Sequence, residues 1–182
     1  MKKIWIVTVI VIIFQCGSVY TMVFNKLSIK KHGTPIKVRV EPIDPRSLFR
    51  GDYVILRYPF SSIKCEDVGL KERETHDLKN IYIVLKKRGD MWEYDRASVS
   101  KPEISHEEVF LKGAVVSDVF GYSGSLSIKY GIESYFVPEG EGRELEKSRE
   151  RKNMDAEIYV DSKGCSLLSG LFVKGGEVNF GK

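Results

Sequence analysis

At 182 residues the chain is long enough for one domain with a buried core. Its 11% aromatic and 30% charged content exclude a disordered polymer. The formal charge of +4 does not describe a nucleic-acid-binding face: Lys2, Lys3 and Lys26 flank the first apolar segment, and the remaining 26 basic residues meet 25 acidic ones, a net of +1.

Ile4 to Phe24 carries no formal charge over 21 residues, and as a helix it would span roughly 31 Å, the thickness of a bilayer's hydrocarbon core. A cleaved signal peptide would want small residues before the cut, and neither Gln15-Cys16 nor Tyr20-Thr21-Met22 supplies them. A lipoprotein signal would use Cys16, but Phe14-Gln15 puts bulk in front of it. The segment therefore reads as an uncleaved anchor over residues 1–26, followed by a soluble domain over 27–182 that should fold without it. Gln15, Ser18 and Thr21 are compatible with a membrane helix if they face a partner helix or bond back to the backbone. Lys2 and Lys3 favour an N-inside start, while Lys26, Lys30 and Lys31 argue the other way, so charge alone leaves the orientation open.

Period-two alternation dominates the rest. Ile36, Val38 and Val40 alternate with Lys37, Arg39 and Glu41, and Leu56 and Tyr58 share a face with Val54, opposite Tyr53, Ile55 and Arg57. Ile81, Ile83 and Leu85 form a third stripe, which Arg88-Gly89-Asp90 turns back into Met91–Val99 as a hairpin. Phe110–Ser117, Ser125–Tyr130 and Ser134–Val137 continue the pattern. Ala156, Ile158 and Val160 end it, with Asp161 to Gly164 turning into Cys165–Val173. Arg143–Lys152 has no β-branched residue and one large apolar one, Leu145, which predicts a short surface helix. The fold class is all-β, a small barrel or sandwich.

The cysteines leave two readings open: Cys65 and Cys165 pair across a long loop, or each is a buried thiol acting as a small hydrophobe. The histidines His32, His76 and His106 stand apart from each other and from the cysteines, so no zinc spacing exists and no metal or cofactor is expected.

Two stretches concentrate polar chemistry. In the first, Asp44, Arg46, Arg50 and Asp52 alternate in charge ahead of a strand; in the second, Glu133 and Tyr135 precede an acidic run that includes Glu139, Glu141, Glu144 and Glu146. Such carboxylates suit a hard cation, but Arg143 and Lys147 sit among them and no calcium-loop spacing appears. An ion-pair seam between the stretches is the favoured reading over an open charged site, with Arg46 or Arg50 reaching an acid of the second stretch.

The same stretches, PIDPRSLFRGDYVILRY and YGIESYFVPEGEGRELE, in this order behind an apolar segment, resemble the GDYXXLXY family of bacterial membrane-anchored proteins. The defined motif positions are Gly51, Asp52, Tyr53, Leu56 and Tyr58. The resemblance implies an uncleaved anchor, an extracytoplasmic domain and a multi-spanning membrane protein as partner. It carries no catalytic residue with it. Gly51-Asp52-Tyr53-Val54 after Pro45 is also similar to the strand of bacterial signal peptidases, but Pro42, Ile43 and Asp44 stand where the nucleophilic serine is expected, and no motif supplies a lysine base. The two Arg-Gly-Asp tripeptides, at Arg50 and Arg88, are accounted for by the motif and by a turn. The reading is thus a membrane-anchored interaction module, with a hydrolase as the alternative, and with the lipid bilayer rather than nucleic acid as its surroundings.

Overall fold

The computed structural model describes residues 2–43, 53–69, 78–116, 125–136, 154–173 and 176–177. The predicted surface helix at 143–152 lies outside them. Helix α1 runs Lys2–His32, past the anchor's expected end at Lys26, and is long and apolar enough to cross a membrane. Its apolar side chains from Ile4 to Leu27 are exposed on every side, so the helix is apolar all round and has no polar face for water. Thr8 and Thr21 donate their hydroxyls to the carbonyls of Ile4 and Gly17 one turn back, which satisfies both hydroxyls within the helix itself.

The helix ends against the domain without a linker. Ile29 is buried, the end of α1 packs on the last long strands, and the Gly33 N–H closes the final turn on the Ile29 carbonyl. A side chain at Gly33 would come within 2.5 Å of that carbonyl and 3.1 Å of the Val160 carbonyl. Backbone cannot yield as a side chain can, so only glycine lets the chain leave the helix here and enter a strand at once.

The strands are β1 Thr34–Ile43, β2 Tyr53–Arg57, β3 Ser62–Lys64, β4 Asn80–Arg88, β5 Met91–Ser98, β6 Glu108–Val116, β7 Ser125–Lys129, β8 Ser134–Phe136, β9 Met154–Val160, β10 Ser166–Val173 and β11 Gly176–Glu177. A 3-10 turn covers Cys65–Val68. They form two antiparallel sheets, ordered β11-β10-β9-β1-β2-β8 and β3-β7-β6-β4-β5. Both expected hairpins are present: β4 pairs with β5 through Arg88↔Met91, and β9 with β10 through Val160↔Ser166. The alternating stripes are the core. Ile36, Val38, Val40, Ile81, Ile83, Leu85, Ala156, Ile158 and Val160 are all buried in one cluster. Cys65 belongs to that core, whereas Cys165 is exposed.

The sheets are also joined through the backbone. The turn between β9 and β10 inserts Gly164 against β6, where its carbonyl accepts the Lys112 N–H at 2.8 Å. The Asp161 carboxylate shapes that turn by accepting the N–H groups of Lys163 and Cys165, both at 2.8 Å.

Candidate functional site

The two distinctive stretches meet as neighbours. β2 pairs with β8 through Tyr53↔Phe136, Val54↔Tyr135 and Ile55↔Ser134, and β3 pairs with β7 through Ser62↔Ser127, Ile63↔Leu126 and Lys64↔Ser125. These are two ends of one ribbon that starts in one sheet and finishes in the other. Between them both chains bend. On the first, Tyr58-Pro59-Phe60-Ser61 is a tight turn: the Ser61 N–H donates to the Tyr58 carbonyl, and the Ser61 hydroxyl accepts the Tyr58 N–H, with proline at the turn's second position. On the second, Gly131 adopts a φ of 79°, and the Glu133 carboxylate accepts the N–H groups of Tyr130 and Gly131.

A bend of this kind interrupts the strand ladder and leaves carbonyls that must be satisfied elsewhere. Two tyrosines satisfy them reciprocally. The Tyr58 hydroxyl donates to the Ile132 carbonyl at 2.7 Å, and the Tyr130 hydroxyl donates to the Phe60 carbonyl at 2.6 Å. Main-chain bonds resume on either side, from Leu56 N–H to the Glu133 carbonyl and from Ile128 N–H to the Ser61 carbonyl. The rings reinforce the latch: Tyr58 stacks on Phe60 at 5.3 Å, and Tyr130 meets the edge of Phe60 at 5.4 Å. Burial, with the Glu133 charge adding to it, holds both hydroxyls well above the ordinary tyrosine pKa. They remain protonated donors at neutral pH.

Among the sequence-predicted site residues, then, Tyr58 and Leu56 are core, Tyr135 packs partly buried beside it, and Glu133 binds backbone at the bend. Tyr53 contributes its backbone pairing to β8. Asp44, Arg46, Arg50, Gly51, Asp52, Glu139 and Glu146 lie outside the described residues, as does the ion pair expected between Arg46 or Arg50 and the second stretch. Sequence reasoning did not single out Tyr130 or Phe60; the available signal was that Tyr130 opens the second stretch, immediately before a glycine.

A second cluster also escaped it. The Arg96 guanidinium holds Glu108 with two parallel bonds of 2.9 and 3.1 Å, and also reaches Asp95 and the Glu103 carbonyl. Glu108 in turn accepts the Ser105 N–H at 3.0 Å, so the fork pins the connection between β5 and β6. The Arg96 bonds, then the Ser105 N–H, pull the Glu108 carboxyl from 4.5 down to about 2. A depressed carboxylate pKa stabilises the folded form at pH values above 4.5, and that contribution is lost as the pH falls towards 2. The Ser105 amide resonance should therefore titrate with a midpoint near 2, moving up towards 4.5 in Arg96→Ala; a midpoint near 4.5 in the unchanged protein would contradict the fork. Among the described residues no group of His, Cys, Asp and Glu is placed to hold a metal ion.

The family model described as GDYXXLXY protein matches residues 15–171, a span that begins within α1 and includes the whole tyrosine-latched bend. No curated protein and no solved structure matches the chain.

Proposed function

The chain belongs to the GDYXXLXY family, and on that premise we propose that it is a single-pass membrane-anchored interaction module, its β domain outside the cytoplasm and working with a multi-spanning membrane protein. The observation that carries this reading is the junction at Gly33. The helix passes into β1 without a flexible segment, and Ile29 and Gly33 fasten its end to the domain. A domain fixed to its anchor presents one face at one height above the bilayer. That arrangement favours a partner held in the same membrane, because the orientational cost of docking is already met and the effective concentration is high. The hydrolase alternative gains nothing from the family match, and the tyrosine hydroxyls of the bend are engaged in holding backbone.

The test is photo-crosslinking of the full-length protein in its native membrane, from a probe at exposed Glu93 on β5. The expected adduct is an integral membrane protein, identified by mass spectrometry. Inserting about ten Gly/Ser residues at Gly33 keeps the anchor but frees the domain, and should lower the yield. Adducts with soluble proteins alone, or a yield indifferent to the insertion, would contradict the proposal.

A further inference from the structure

Four uncharged polar residues of α1, Thr8, Gln15, Ser18 and Asn25, share one side of it, while Tyr20, Thr21 and Ser28 lie off that side. Thr8, Val11, Gln15, Ser18, Met22 and Asn25 follow one another in alternating steps of three and four, which places them on a single stripe of a helix. Gln15 lies within one residue of the centre of Ile4–Phe24, and so at the midplane of a bilayer that this segment spans. Trp5 stands near one end of that segment, and Tyr20, stacked on the terminal Phe24, lies towards the other, in keeping with the interfacial preference of Trp and Tyr. Thr8 uses its own backbone for its hydroxyl. A glutamine amide has two donors and an acceptor and is too long for the same device, and Gln15 is exposed on the helix surface. In hydrocarbon such a group is retained where another helix meets it.

The fold also says which kind of helix that is. The next step along the stripe from Asn25 is Ile29, which is buried where α1 packs on β9 and β10. Above the membrane, therefore, the stripe is covered by the protein's own domain. If two copies paired through this stripe in parallel, each domain would lie on the shared axis, where the other must also be. The occupant is thus confined to the bilayer and is not a second copy.

We infer that the Gln15 stripe of α1 docks a transmembrane helix of a different membrane protein, one that carries a hydrogen-bonding side chain at mid-depth. This rests on the reading of the chain as a membrane-anchored module with a membrane partner, and it names the surface through which the two meet.

Photo-crosslinking in native membranes tests it with the full chain. Probes at Val11 and Met22 on the stripe should give an adduct, and probes at Ile13 and Tyr20 on the opposite side should not. Peptide mapping should place the attachment in an apolar segment of about 20 residues containing a polar side chain near its middle. Gln15→Leu should lower the yield roughly three- to twentyfold, the scale of one hydrogen bond between helices, while Thr21→Val, off the stripe, should leave it unchanged. Equal adducts from both sides of the helix, an adduct of two copies of this chain, or full yield in Gln15→Leu would overturn the inference. If the Glu93 probe still captures an integral membrane protein when the helix probes fail, the stripe alone is refuted; if both fail, the partner reading falls with it.

Discussion

Tyr58→Ala will cost the domain about 3–5 kcal/mol, the range for truncating a large buried aromatic residue, and Tyr58→Phe will cost about 1–3 kcal/mol, the range for a buried carbonyl left without its donor. The ring is 1% exposed and lies between the two bending chains, stacked on Phe60. Alanine would remove both the packing that fills the bend and the bond to the Ile132 carbonyl, whereas phenylalanine removes only the bond. Since domains of this size are stable by about 5–15 kcal/mol, the alanine variant should lose a substantial part of that margin. Tyr130→Phe should behave like Tyr58→Phe, because its hydroxyl does the mirror-image task for Phe60. Urea unfolding of the three variants gives the comparison directly. A Tyr58→Phe variant as stable as the original would mean that the hydroxyl is a passenger and that the motif tyrosine has some other purpose.

Gly164→Ala should be nearly as damaging, although it adds only a methyl group. Gly164 has a φ of 81°, a left-handed conformation that costs an L-residue roughly 1–2 kcal/mol. The added Cβ would stand 2.7 Å from the Phe110 ring and 2.9 Å from the Lys112 nitrogen, overpacking of a kind that costs about 1–3 kcal/mol. The second contact matters more than the first, because Lys112 N–H is bonded to the Gly164 carbonyl and cannot retreat without opening the link between the sheets. At about 2–4 °C per kcal/mol for a chain of this length, the melting temperature should fall by roughly 5–15 °C. Asp161→Ala, which removes the side chain that shapes the turn but adds nothing to the interface, should fall by less. Equal melting of Gly164→Ala and the original would show that the turn is not inserted as described.

Much of the architecture was legible in the sequence because half-buried strands repeat every two residues. Ile36, Val38 and Val40, or Ala156, Ile158 and Val160, declare a buried face without reference to anything distant. Val84 does not follow that rule: it is buried beside Ile83 and Leu85, next to a bulge in the pairing of β4 with β5, and alternation alone cannot anticipate a bulge. The helix was readable to Phe24 from hydropathy, but its continuation to His32 depended on quieter signals. Lys30, Lys31 and His32 suit the negative end of a helix dipole, and Gly33 is the first residue able to end it against the domain.

The bend was harder to read, because its partners come from segments 70 and 74 residues apart in sequence. Tyr58 could be assigned to the core from its stripe, but the destination of its hydroxyl is a property of the ribbon. Glu133 drew attention as a carboxylate among carboxylates. Only the bend reveals that its oxygens face backbone N–H groups of its own turn. The Arg96 fork was missed for a similar reason, since Glu108 reaches it across the connection from β5 to β6.

The whole account turns on the chain remaining one piece with its domain outside the cytoplasm. A dual reporter fused after Lys182, with one half active only outside the cytoplasm and the other only inside, measures this in intact cells. The expected result is activity of the outer reporter alone, on a full-length protein that stays in the membrane fraction, with α1 uncleaved. Activity of the cytoplasmic reporter would contradict the orientation, and release of a shortened domain from the membrane would contradict the anchor.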